Sequence, residues 1–326
     1  MAAEAVFPRA RARAGMYESF YLRAVSREQP VGVWIRHTIH KAPGVAPTGS
    51  VWCTVFDTRR GAPFMHKLSG RAPSVPAAGW LTLGEDARIG PSTAEGSCGP
   101  ARWSLRFAAE EPPLRHLSPD WLYRMPLPRT KLTSPAPRAR FDGVVELEGR
   151  DPIELRGWSG MIGHNWGSEH AERWIWLHGI DFDEEPGAWL DVALGRLALA
   201  GRMTPWVANG ALSLDGRRRR IGGLATRGLR VSEDAGGATI DLPGRHGQAL
   251  RVSVRVPPGT AAGWRYADPD GGEHDVVNCS VAPIELALAG AGGAAARTLR
   301  SAHGGAYELG MRERDHGVAI SPFADG

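Results

Sequence analysis

The sequence predicts an all-β protein of antiparallel strands, a sandwich or barrel architecture in two parts, on three observations. First, Gly and Pro number 42 and 25 among 326 residues and are spread along the whole chain. Second, they punctuate short runs rich in Val, Ile, Trp, Phe and Tyr, which is the pattern of strands and turns. Third, the clearest runs alternate with a period of two, and helical patterns are few.

In chain order, Met1–Gly15 (MAAEAVFPRARARAG) carries arginines but no apolar run of roughly 7–15 residues, so it reads as a disordered arm and not a secretory signal. Residues 16–140 form the expected first barrel. Pro126–Pro137 (PLPRTKLTSPAP) is the clearest connector, which sets the boundary between about 125 and 160 and the second barrel at 141–326. Val144–Glu148 alternates, Gly149–Pro152 turns, and Ile153–Arg156 alternates back. Leu190–Ala200 has a helical composition but lacks a cap and follows Trp189, so it reads as a strand. Ala211–Leu214 meets Asp215-Gly216, a primed hairpin turn, before Arg217–Ile221. In Arg251–Val256 the valines share one face, as in a half-buried strand.

Composition excludes several classes. No stretch approaches about 20 consecutive apolar residues, so no transmembrane segment is expected. The net charge is +4, with only three lysines, and the arginines are scattered apart from Arg217–Arg220. Nucleic-acid binding needs basic residues gathered on one face, so none is expected. Cys53, Cys98 and Cys279 are odd in number and lack CxxC spacing, which fits reduced thiols and a cytoplasmic location.

The densest functional segment is Gly157–Gly179. Trp158, Trp166, Trp174 and Trp176 fall within nineteen residues, beside His164, His170, His178, Glu169 and Glu172. Ionisable groups in a Trp-lined cavity have pKa values that the surroundings can shift. If Arg173–His178 is a strand, Trp174, Trp176 and His178 share a face that suits the inside of a barrel holding an apolar ligand. A packed tryptophan core with a satisfied histidine would give the same pattern. The Gly-flanked turn from His164 to His170 places polar groups between strands, where function concentrates. His164 and His170 are six apart without HExxH spacing, so no metal is expected. There is no GxSxG, no G-x-G-x-x-G after a strand and no P-loop, so no cofactor is expected either.

Leu127-Pro128-Arg129, the hairpin Phe141–Leu155 and then Trp158–Gly167 follow one another in the order and spacing of a known group. The segment resembles the superfamily of carotenoid hydratase (hydroxyneurosporene synthase), AttH-like and tocopherol cyclase-like proteins. That group shows Gly-x-x-Trp-Met-Asp-His-Glu-Trp-Gly here, and His164, Trp166 and Gly167 match it directly. Tyr17–Tyr21 and Val33–Arg36 resemble its first strands. The resemblance spans roughly residues 16–180. It implies two lipocalin-like antiparallel β-barrels packed together, with the Gly157–Gly179 motif at their interface. Gly163 and Asn165 stand where the group carries Asp and Glu, so any acid role has moved, with Glu169, Glu172 and Asp181 as candidates.

The resulting expectation is a cofactor-independent enzyme of lyase or isomerase type. It would act on an apolar, polyene or isoprenoid-like small molecule by hydration, cyclisation or isomerisation. The expected catalytic set is His164, Glu169, His170 and Glu172. The expected binding set is Trp158, Asn165, Trp166, Trp174, Trp176, His178, Tyr17 and Glu18. The rival is a non-catalytic lipocalin-like carrier of a hydrophobic small molecule, and a structural interaction protein would have no cavity. Two or more ionisable side chains converging on one cavity would favour the enzyme.

Overall fold

A computed structural model describes residues 3–11, 13–199, 201–223, 228–243, 249–289 and 296–322. Met1, Ala2, Ala12 and Ala200 thus lie outside the described residues. About 61% of the chain is strand and 2% helix. No described helix is long and apolar enough to cross a membrane.

Two large antiparallel sheets make the architecture. The first has twelve strands, runs from Met16 to Gly167 and is a nearly closed barrel. Its two edge strands, Phe64–Arg71 and Pro73–Ser74, are consecutive in sequence. The second has ten strands between Arg173 and Met311 and forms a half-barrel. The change of sheet falls between Gly167 and Arg173, later than the expected 140/141. The hairpin of Thr130–Leu147 and Ile153–Gly167 completes the first sheet, since Ile153–Gly167 pairs with Met16–Val25 over nine positions. Two thirds of the Pro-rich stretch expected to link the barrels is also strand. Pro135 and Pro137 sit at register shifts between Thr133 and Ala139, where proline's missing N–H is tolerated.

The local readings of the second half hold. Trp189–Arg196 is a strand paired with Arg173–Gly179. Leu214 faces Arg217 across Asp215-Gly216, both at positive φ (52° and 66°), as a primed turn requires. Val252 and Val254 are buried and flanked by more exposed residues.

The segment before Met16, expected to be a disordered arm, is tied down. Phe7–Arg9 forms a short 3-10 turn, and the Val6 and Phe7 N–H groups donate to the Glu18 carboxylate at 2.7–3.0 Å. Lys41 Nζ donates to the Ala14 carbonyl at 2.7 Å.

The cores explain how the barrels meet. Phe20, Leu22, Ile35, Val51 and Cys53 fill the inside of the first barrel. Residues on the opposite face of the same strands, Val25, Trp34 and Trp52, belong to the core of the second. Trp52 meets Trp264 edge-on at 5.0 Å, and Trp34 lies 6.4 Å from it. The barrels therefore share the wall formed by Met16–Val25, Val31–Lys41 and Thr48–Asp57. Close strand packing on that wall leaves no room at Gly160, where a Cβ would stand 1.9 Å from the Arg23 carbonyl oxygen. Gly160→Ala should cost about 2–3 kcal/mol, as overpacking of a rigid interior does, read as a lowered Tm or denaturation midpoint. An unchanged midpoint would show that this contact relaxes freely.

Candidate functional site

A cavity of about 380 Å³ lies where the two sheets face each other. Tyr21, Trp34, Arg36 and Asn165 line it from the first sheet. Trp174, Trp176, Ala193, Val207, Tyr266 and Glu308 line it from the second. The segment between the Leu114–Arg115 and Thr130–Leu147 strands closes one side with Leu117, Leu122, Leu127 and Pro128. Lys131 Nζ holds that segment by donating to the carbonyls of Leu122, Met125 and Pro128.

The strand Arg173–Gly179 presents Trp174 and Trp176 to the cavity by its period of two. Each indole N–H finds a carboxylate. Trp174 donates to Glu308 at 2.9 Å and Trp176 to Asp191 at 3.1 Å. Glu308 also accepts from the Tyr266 hydroxyl (3.2 Å) and Asn278 Nδ2 (3.3 Å), so three donors hold it. Asp191 is fully buried and accepts from His116 Nε2 (3.0 Å) and Ser134 Oγ as well. Burial works to raise the Asp191 carboxyl, but the charge and hydrogen bond of His116 carry it down to about 2.

His170 sits on the cavity wall at the crossing between the sheets. Its ring is stacked between Tyr17 (3.9 Å) and Trp174 (5.2 Å). Its Nδ1 and its backbone N–H both bond Asp268 Oδ1, at 2.7 and 2.8 Å. A carboxylate accepts, so Nδ1 carries the proton, and Nε2, which has no partner, carries the lone pair in the neutral ring. Burial works to raise the Asp268 carboxyl, but the His170 hydrogen bond and charge bring it below the ordinary range. The Tyr17 hydroxyl and Thr130 Oγ1 are 2.6 Å apart, and Thr130 donates onward to the Glu169 carbonyl at 2.8 Å. This relay fixes the ring that backs His170.

His170, Asp268 and His274 each offer a ligand atom within 4.8 Å of the other two, so this trio could hold a metal ion. Asp268 Oδ1 is already taken twice by His170, whereas Asp268 Oδ2, His170 Nε2 and both His274 ring nitrogens have no hydrogen-bond partner.

No known family profile matches the chain. Two uncharacterized proteins of Mycobacterium tuberculosis, from strains CDC 1551 and H37Rv, are each 28% identical over 292 residues, covering 88% of this chain and 85% of theirs. Among solved structures, an AttH-like protein from Nitrosomonas europaea matches with a TM-score of 0.57 at 13% identity, over 94% of this chain and 96% of that one. CghA, solved with Sch210972, gives 0.57 at 12% identity, over 91% and 88%. Kievitone hydratase from Nectria haematococca gives 0.52 at 8%, over 92% and 89%. The fold is the lipocalin-like double barrel. At these identities the likeness is one of fold.

Within the lipocalin-like frame, the expected residues divide. Asn165, His170, Trp174 and Trp176 share the cavity, and Tyr17 backs it. His164 and Glu18 lie on its far side, bonded to each other at 2.7 Å, with His164 stacked on Phe20 (4.0 Å) and Trp166 (4.7 Å). Neither these two nor Trp166 lines the cavity, and Trp158 packs against the first barrel's core. Glu169 pairs with Arg129 and Glu172 with Arg312 (2.8 Å), both outside the lining. Asp181 accepts from Ser159 at 2.7 Å, likewise outside it. His178 is wholly buried beyond Trp176. Its Nε2–H donates to the Pro137 carbonyl (2.9 Å), so its Nδ1 accepts from Arg23 Nη1 (2.9 Å).

The departure at Gly163 has a physical counterpart. Gly163 pairs with Tyr21, and a Cβ there would stand 2.0 Å from Tyr21 Cζ and 2.4 Å from its hydroxyl oxygen. The Tyr21 ring thus occupies the space that the resembled motif gives to a side chain. Burial, then Asp191 and Glu308, pushes the Tyr21 hydroxyl well above its ordinary value, which keeps it a donor. Sequence reading missed Tyr21, Arg36, Tyr266, Asp268 and Glu308 as site residues. The four-residue spacing of Tyr17 and Tyr21 on one strand face was the available signal.

Two outcomes follow. Glu18→Ala would strip His164 and two backbone N–H groups of their partner and should cost about 3–5 kcal/mol in chemical unfolding; a loss under about 1 kcal/mol would refute the clamp. Acid sensitivity is the second. Burial holds His37 and His178 down to about 4, with Arg23 adding to the effect at His178, against an ordinary value of 6.5. Between those values the unfolded chain binds more protons, so stability is full above about 6.5 and is lost as pH falls toward 4. Asp191 begins to act only below its ordinary value of 3.8. Tm should fall from pH 7 to 4.5, and His178→Gln should flatten that slope; parallel slopes would refute the assignment.

Proposed function

We propose that this protein is a cofactor-independent enzyme that performs acid–base chemistry on an apolar small molecule held between the barrels. The observation that carries the reading is the His170–Asp268 pair on the wall of an otherwise Trp-lined cavity. A carrier needs the cavity alone. Here His170, Arg36, Glu308, Tyr21 and Tyr266 all line it, and that convergence favours catalysis.

The chemistry follows from the pair. Asp268, kept ionised, holds the proton on His170 Nδ1 and steadies the charged ring once Nε2 takes up a proton. Nε2 is the atom that abstracts a proton from the ligand or returns one to it. Such a shuttle serves hydration, cyclisation or isomerisation of a polyene or isoprenoid-like molecule, as lyases and isomerases do. The faces of Trp174, Trp176 and Tyr266 steady positive charge developing on carbon. Tyr21 donates a hydrogen bond to a ligand oxygen. One fold neighbour is named a hydratase, and another was solved with a small molecule. The scheme uses the His170–Asp268 pair without a metal.

His170→Gln should lower turnover of a responsive polyene substrate by roughly 10²–10⁴-fold, with ligand affinity changed less than threefold. Asp268→Asn should lower it comparably, by releasing the Nδ1 proton. Activity that survives both substitutions, or disappears on exhaustive chelation, would overturn the scheme.

A further inference from the structure

We propose that the ligand of this cavity is an apolar acid whose carboxylate docks on Arg36. The inference rests on reading this cavity as the ligand site, and its test separates the two.

Arg36 lines the cavity yet is only 4% exposed. Its Nε donates to Ser19 Oγ at 2.6 Å, and its Nη1 has no partner. Among the described residues, no carboxylate lies within 4.0 Å of this guanidinium. Several other buried basic side chains have acceptors from the protein: His116 has Asp191, His164 has Glu18, His170 has Asp268, Arg23 has the Ser280 carbonyl and His178, and Lys131 has three carbonyls. A buried cation is costly unless it is paired and hydrogen-bonded. The Tyr266 ring lies 3.9 Å from the guanidinium carbon and the Trp52 ring 5.6 Å. Ring faces attract the charge but leave the in-plane Nη1–H without an acceptor. Glu308 also lines the cavity but lies beyond ion-pair distance, and three donors already hold it. The missing partner is therefore an anion supplied by the ligand.

The neighbours of Arg36 define that anion. Tyr21 is its direct cross-strand partner, so both side chains leave the sheet on the same face. The Tyr21 hydroxyl makes no hydrogen bond among the described residues and stays protonated. One guanidinium fork and one phenol suit a planar monoanion, which accepts from both. A phosphate dianion would need further cations, and no lysine or second arginine lines the cavity. The rest of the ligand is apolar, because it lies against Trp174, Trp176, Leu194 and Val207.

The test uses the full chain with cis-parinaric acid, a fluorescent polyene carboxylate, and its methyl ester. Energy transfer from the cavity tryptophans reports binding. The acid is expected to bind at least tenfold tighter than the ester at pH 7.5. Arg36→Met should bring the two within twofold, Arg36→Lys should keep part of the preference, and Tyr21→Phe should reduce it severalfold. Equal binding of acid and ester by the unaltered protein would overturn the proposal without any variant having to fold. So would an undiminished preference in Arg36→Met. Ala193→Phe, which fills the cavity, should weaken both probes alike. If neither probe binds the unaltered protein, or if Ala193→Phe changes neither, the ligand-site reading falls together with the proposal.

Discussion

Burial of the Met16–Val25 strand on both of its faces is the constraint on which the rest of the structure depends. One face, with Phe20 and Leu22, completes the first barrel's interior. The other, with Tyr21, Arg23 and Val25, turns toward the second barrel. Hydrophobic stabilisation scales with the apolar area removed from water, and a wall used twice removes it twice. The second sheet is only a half-barrel and closes its core against that wall. The cavity lies in the same seam, bordered by Tyr21 and Trp176, whose rings meet edge-on at 5.5 Å.

The seam also explains why its polar groups come in pairs. Water is largely excluded, so each charge needs a partner from the protein or from a ligand. Asp191 answers His116 and Trp176, and Glu308 answers Trp174, Tyr266 and Asn278. His178 remains neutral between Arg23 and Pro137. These contacts bind segments separated by 15 to 155 residues, so the groups that shape the cavity also hold the barrels in register.

The sequence disclosed the fold because strands that are half-exposed keep their period of two, as in Arg251–Val256 and the Asp215-Gly216 hairpin. It hid the change of sheet because a hairpin reads the same whichever sheet it joins, and Thr130–Gly167 joined the earlier one. The tryptophan strand was legible, since Trp174 and Trp176 differ from Ile175 and Leu177 on its other face. The carboxylates of the site were not. Asp268 lies 98 residues from His170 and Glu308 134 residues from Trp174, and spacing carries no signal of that. Arg36 was hidden for another reason. In a strand buried on both faces, period two no longer separates a barrel interior from a barrel interface.

The contact between Gly163 and Tyr21 links two positions that are far apart in sequence and adjacent on the sheet. A carboxylate cannot return to position 163 while a tyrosine ring stands at 21, because backbone and ring already touch. Nor does a smaller residue at 21 alone restore the resembled motif; it only opens space. The two positions must therefore change together, since a carboxylate beside the histidine requires a smaller residue on the neighbouring strand. In any alignment of such chains, this covariation would sort the sequences by the acid they present to the seam more directly than overall identity does.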